Sequence, residues 1–204
     1  KITAISNSCF NNCKSLGGTI TFPDSITTYG TNAFYGCSEL DGIAFVDDDS
    51  DPGSADTETI GHSCFESCTS LAGTIQFPLS LTLIDNEAFM YCDALVGISF
   101  ATTDDLLSKT KLTSINELAF HSCDNLTGII KFPDSLQNIA NRAFESCVSI
   151  TGISFNKEDS ELTAIGHRAF YNCRMTADLV LPNSLQTIGT VGSADEIGTF
   201  RGNN

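Results

Sequence analysis

The sequence predicts a repeat solenoid, mainly β with short helical or 3-10 turns, in which about eight rungs stack in one parallel sheet. Three observations predict it. The phrase Phe-x-x-Cys occurs seven times, at Phe10/Cys13, Phe34/Cys37, Phe65/Cys68, Phe89/Cys92, Phe120/Cys123, Phe144/Cys147 and Phe170/Cys173. A second aromatic series, Phe22, Phe45, Phe77, Phe100, Phe132 and Phe155, continues as Leu181. The two series hold 13 of the 14 Phe residues, leaving Phe200. Such phasing is what stacked rungs require, because each ring then rests on its counterpart in the next unit. Third, the rungs alternate in type: separations of 24 residues (Phe10–Phe34, Phe65–Phe89, Phe120–Phe144) are followed by separations of 31 (Phe34–Phe65, Phe89–Phe120) or 26 (Phe144–Phe170).

Each element of a rung has its own signature. A short strand such as Gly73-Thr74-Ile75-Gln76-Phe77 alternates apolar and polar positions, the period of a half-buried strand. In the first type of rung a Phe-Pro-x-Ser turn ends it, at Phe22-Pro23, Phe77-Pro78 and Phe132-Pro133, with Leu181-Pro182 as the fourth copy; proline presets the turn. The second type lacks that proline and carries an insert. A second extended piece, Ser-Leu-x-x-Ile, follows, and then a helical or 3-10 turn that buries the Phe and Cys together. Ala33, Ala88, Ala119, Ala143 and Ala169 precede the Phe and suit close packing, while Cys9 and Cys64 replace Ala in two Pro-bearing rungs. First-type rungs have nine steps from Cys to the strand Phe against eight in the second type, so a bulge or shifted register is expected there. Residues 1–189 form the solenoid, in paired repeats of about 24 and 31 residues, and residues 190–204 a degenerate terminal rung or cap. At about 4.8 Å per rung, eight rungs span roughly 38 Å.

Composition narrows the partners. The 204 residues are 41% hydrophobic and 17% charged, enough apolar content for a core. The net charge of −15 comes from 25 acidic and 10 basic residues, which repels nucleic acid and anionic membrane surfaces. No apolar run approaches the 18 or so residues of a spanning helix, so no membrane insertion is expected. Lys1 opens directly onto a repeat unit, Ile2-Thr3-Ala4-Ile5, as in a segment cut from a longer chain.

The polar chemistry is sparse. Seven of nine cysteines share one repeat position. They read as a column of buried thiols and not as zinc ligands, which must converge on one point. Cys9/Cys13 and Cys64/Cys68 are the pairs to watch for disulfides. His62 and His167 occupy the same position about 19 Å apart, with His121 elsewhere, and all three read as surface residues; no nucleophile–base pair is expected. Acids concentrate in the inserts: Asp47, Asp48, Asp49, Asp51, Asp56 and Glu58 in the first, Asp104 and Asp105 in the second, Glu158, Asp159 and Glu161 in the third. The plain reading is a set of solvated acidic loops. The sharper one is a calcium loop using Asp47, Asp49, Asp51 and Glu58, a partial echo of the twelve-residue calcium-binding spacing with Pro52 where glycine belongs. No other metal or cofactor is expected, and no catalytic residue. The outward strand positions Thr21, Ala44, Gln76, Ser99, Lys131, Ser154 and Val180 are small and mostly neutral. Asn125-Leu126-Thr127 is a glycosylation acceptor pattern in the turn after Cys123.

The phrase Ile165-Gly166-His167-Arg168-Ala169-Phe170-Tyr171-Asn172-Cys173, with Ile84-Asp85-Asn86-Glu87-Ala88-Phe89-Met90-Tyr91-Cys92, resembles the BspA-like leucine-rich repeats. The resemblance covers about residues 2–188. It implies a leucine-rich-repeat solenoid and a non-catalytic, extracellular or cell-surface module for interaction or adhesion, with a protein or glycan partner. A structural scaffold subunit of a larger assembly is the alternative. The 31-residue spacing and the acidic inserts depart from the regular form of that family.

Overall fold

The computed structural model describes residues 1–45, 57–101, 103–189 and 198–202. The chain winds as a parallel β-solenoid with two strand positions per rung. The continuous sheet runs along the short extended pieces: β1 (Ala4–Ile5), β3 (Thr28–Tyr29), β5 (Thr59–Ile60), β7 (Leu83–Ile84), β9 (Ser114–Ile115), β11 (Asn138–Ile139), β13 (Ala164–Ile165) and β14 (Thr187–Ile188). All eight pair in that order, in parallel. Its second residue points inward: Tyr29, Ile60, Ile84, Ile115, Ile139 and Ile165 are buried. Hydroxyls reinforce the stacking, since Thr27, Thr82, Thr113 and Thr163 each donate to a carbonyl of the rung before.

The Phe-ended strands behave differently. They form three separate two-stranded sheets: β2 (Gly18–Phe22) with β4 (Leu40–Phe45), β6 (Gly73–Gln76) with β8 (Leu95–Ser99), and β10 (Gly128–Lys131) with β12 (Ile150–Ser154). The register slips at Gly18/Thr19, Gly73/Thr74 and Gly128/Ile129, the place where the extra residue in first-type rungs predicts an irregularity. The unpaired residue itself sits on the partner strand, at Asp41, Val96 and Thr151. Its carbonyl instead accepts an N–H from the next rung: Ala72 to Asp41, Thr127 to Val96, Thr176 to Thr151. The single parallel sheet expected from the sequence is therefore the narrow one, and the broader strands are grouped in twos.

The turn around each ladder Phe is neither α nor 3-10 helix. All thirteen non-glycine residues with positive φ among the described residues lie two before or two after a ladder Phe, from Ser63 at 50° to Ser146 at 64°. A helix needs an unbroken run of negative φ. Two positive-φ residues four apart still permit tight local bonds, such as Cys68 N–H to the Phe65 carbonyl at 3.2 Å. They also aim every second N–H at the next rung: Phe65 donates to Ala88 and Ser67 to Met90, each at 2.8 Å. Left-handed backbone costs about 1–2 kcal/mol per residue; the inter-rung bonds and the prevalence of Ser, Asn and Gly at these positions offset it.

The Phe series account for the core. Phe10, Phe34, Phe65, Phe89, Phe120, Phe144, Phe170 and Phe200 stack at centroid separations of 5.0–5.5 Å, with planes within 10° of parallel. The second series packs edge-on against the first, as in Phe77–Phe89 and Phe132–Phe144. Phe34, Phe65, Phe89, Phe120, Phe144 and Phe170 are fully buried. Residues 190–197, 203 and 204 lie outside the described residues. Within 198–202, Phe200 stacks on Phe170, while Phe170 and Asn172 donate to the Thr199 and Arg201 carbonyls, the same bonds that join the earlier rungs.

Candidate interaction surface

Of the four residues suggested as calcium ligands, Asp47, Asp49 and Asp51 lie outside the described residues. Glu58 is exposed beside β5, and its carbonyl accepts from both the N–H and the hydroxyl of Thr82. The later inserts are ordered by their own side chains. The second folds into a 3-10 helix, Asp104–Lys109, whose Leu107 packs on the core. Asp104 grips the Lys131 ammonium with both carboxylate oxygens at 2.8 Å. In the third, the Asn156 amide donates to Asp159 at 3.0 Å, and Asn183 donates to Glu158 at 3.1 Å. Asp104, Glu158 and Asp159 are exposed, as the reading of solvated acidic loops expects. Their hydrogen bonds to neighbouring amides and to one lysine are what that reading does not anticipate.

The outer strand face changes character along the solenoid. Three residues before each strand Phe, first-type rungs carry Thr19, Thr74 and then Ile129, each facing a glycine of the partner strand: Gly42, Gly97 and Gly152. Glycine is required where the neighbour leans over it; a Cβ on Gly97 would lie 2.6 Å from the Thr74 hydroxyl. At the third pair a Cβ on Gly152 would lie 2.8 Å from the Ala177 Cβ and 3.4 Å from Ile129 Cγ1, so its neighbours are apolar, and Ile129 is 54% exposed. Val180, beyond β12, is 53% exposed. Both line a groove of about 220 Å³, floored by Ile153. Two further depressions, of about 130 and 230 Å³, adjoin it around Lys131. The carboxylates lining the three are Asp104, Asp134 and Asp178, against the one ammonium.

The cysteines form the predicted column. All nine are free thiols, and only Cys9 and Cys13, in the first rung, are exposed. From Cys37 to Cys173 each ladder thiol donates to the carbonyl of the ladder Phe one rung back, at 3.0–3.2 Å. Burial pushes their pKa values up, that of Cys68 to about 12, and those of Cys92, Cys123 and Cys147 upward as well. These are packing and hydrogen-bonding groups, since a nucleophile must ionise. Among the described residues no group of three or more His, Cys, Asp or Glu side chains is placed to hold a metal.

The edge bearing the Phe turns holds an ionisable cluster that composition and motif spacing do not single out. Residues one after each ladder Phe stack along it, including Glu66, Met90, His121, Glu145 and Tyr171. Glu145 is a buried carboxylate between Arg142 Nε at 3.4 Å and Arg168 Nη1 at 3.6 Å. Its Oε2 lies within ion-pair range of Arg142 but makes no hydrogen bond. Arg168 also lies over the Tyr171 ring. The same repeat phasing that locates the Phe ladder could have located this column. The surface reading holds for His62, whose side chain is 43% exposed, and is corrected in part for the other two, which are half-buried, with His121 Nδ1 and His167 Nε2 covered and without a hydrogen-bond partner. Burial lowers the His121 pKa, opposed by Glu145, reinforced by Arg142 and opposed again by Asp124. A lowered folded-state pKa means that below about 6.5 the unfolded chain takes up a proton that the folded site resists. Stability is then lost as pH falls below that value. Urea midpoints at pH 7.5 and 5 should differ less in His121→Gln than in the wild type; an unchanged difference would remove His121 as the cause. Asn125, the glycosylation candidate, is exposed in its turn.

A family model described as BspA type Leucine rich repeat region, in six copies, matches residues 1–109 and 102–191. No curated protein matches the chain. Among solved structures, a leucine rich cell surface protein from Faecalibacterium prausnitzii is similar at 24% identity and TM-score 0.57, over 93% of this chain and 39% of that one. A leucine-rich repeat protein from Bacteroides ovatus is similar at 22% identity and TM-score 0.58, over 91% of this chain and 48% of that one. One from Eubacterium ventriosum has 17% identity and TM-score 0.56, over 90% and 58%. The chain spans less than half the length of the first two. At these identities the likeness is one of fold.

Proposed function

The chain belongs to the BspA-type leucine-rich repeat family, and from that premise we propose that it is a non-catalytic interaction module, secreted or displayed at a cell surface. The observation that carries the reading is the outer strand face: one end of a uniform solenoid exposes Ile129 and Val180 beside a groove, and apolar exposure of that kind marks contact with a partner. Among the described residues, buried thiols and a repeated side-chain pattern do not bring together the nucleophile, base and oxyanion site that acyl or phosphoryl chemistry needs. Among the described residues no helix is long and apolar enough to cross a membrane. A scaffold subunit is the second reading, favoured by the same apolar residues. The test is labelling of intact producing cells with a membrane-impermeant amine reagent. Labelled chain on unbroken cells or in the medium is expected; labelling only after lysis would overturn surface display.

A further inference from the structure

We propose that the outer face of the third strand pair, around Ile129, is the docking site for an extended basic peptide segment carrying aliphatic side chains. The inference rests on the interaction-module reading and names the partner chemistry of that site.

Four features converge on this face. Ile129 replaces the Thr of the two earlier pairs, so the apolar ridge belongs to this pair alone among the three. Depressions flank the ridge on both sides, one toward β8 with Ile98 and Leu107 in its lining, the other toward Val180. Among the described residues β12, like β4 and β8, has a ladder partner along one edge only, here β10. On its other edge the described main-chain bonds are two, from Thr176 and Ala177, both to the Thr151 carbonyl. Asp178–Val180 thus runs beside β12 without pairing, and the groove lies between them. A strand edge left open in this way accepts an extended peptide main chain, with alternate side chains entering pockets.

The charge selects the occupant. The lysine on this face is already held by Asp104, which leaves Asp134 and Asp178 facing the depressions. The whole chain carries −15, so a second copy meets repulsion here, and so does an acidic segment. A peptide with Lys or Arg at alternate positions meets attraction at the rim, and its aliphatic residues cover Ile129 and Val180.

The probe is an eight-residue peptide alternating Lys and Val, with a Glu/Val peptide as its counterpart, followed by fluorescence anisotropy at physiological salt. Saturable binding of the Lys/Val peptide is expected, with the Glu/Val peptide at least about tenfold weaker. Ile129→Thr installs the residue that Thr19 and Thr74 already show to fit this position, so folding is preserved. It should weaken binding about tenfold, the loss expected of a central contact residue, and Val180→Thr should weaken it as well. Equal binding by Ile129→Thr would mean unspecific attraction to an acidic protein and would overturn the proposal. So would absence of binding by the wild type. Self-association in sedimentation that Ile129→Thr abolishes, without peptide binding, would make the occupant a second copy and overturn it too. Cell-surface labelling reads display independently of all these outcomes, so a failure here leaves that result standing.

Discussion

Phe120→Ala is expected to cost about 3–5 kcal/mol of stability, the range for removing a fully buried aromatic side chain. Its ring lies between Phe89 at 5.2 Å and Phe144 at 5.1 Å, nearly parallel to both, with Phe77 edge-on at 6.4 Å. Collapse of the cavity is obstructed on every side. The two neighbouring rings are held at rung spacing by main-chain bonds, Phe89 N–H to the Ala119 carbonyl and Phe120 N–H to Ala143, each at 2.8 Å. A solenoid adds a second consequence. Each rung is stabilised by its neighbours, so a defect in the middle weakens two interfaces and uncouples the halves. Chemical denaturation should show a lower midpoint and a broader transition than the wild type. Phe10→Ala is the control, since among the described residues Phe10 stacks on Phe34 alone and is partly exposed. Equal losses for the two variants would show that the ladder does not carry the coupling.

Glu145→Ala should cost about 2–3 kcal/mol, somewhat below the range for breaking a fully buried pair, because Arg142 is 44% exposed and can rehydrate. Arg168 cannot do so as easily, being covered by Tyr171 and by its own rung. The unfavourable part is the guanidinium left without its carboxylate. Glu145→Ala combined with Arg168→Leu should therefore recover part of the loss. A thermal melt of the single and double variants decides this. If the double variant is no better than the single, the carboxylate's contribution lies in packing and not in pairing.

Much of the fold is legible because the repeat is carried by large apolar residues at fixed phase. Phe34, Phe89 and Phe144 have to be buried if the phasing means stacking, and they are. The Cys column and the irregular register at first-type rungs come from the same counting. Two things are not legible. The turn geometry depends on the sign of φ two residues either side of Phe, and several residues there, such as Glu87, Leu118 and Arg142, give no hint of left-handed backbone. The split of the Phe-ended strands into pairs depends on where each insert leaves the ladder, which spacing alone does not fix. The outer face reads as small and neutral when the residue one before each strand Phe is counted, but Ile129 lies three before. The groove is hidden further because it needs Val180 and Ile153 to meet across an unpaired edge. The acidic inserts draw attention by composition, yet Asp104 spends its charge on Lys131.

The grouping of the broad strands in twos bears on how such a chain can grow or shrink. Equivalent ladder residues recur every 55 positions over the first units, as from Phe10 to Phe65 to Phe120, and after 50 at Phe170. Each pair presents one open edge to the preceding pair and another to the next. An in-frame gain or loss of one whole 55-residue unit would bring like edges together and leave both ring stacks in phase. A gain or loss of a single rung would set two first-type or two second-type strands side by side and misplace the slip in register. Length is therefore a nearly neutral variable when it changes by twos, and the Ile129 ridge can be duplicated or lost with the unit that carries it, whereas the depressions beside it also need Ile98 and Val180 of the neighbouring units.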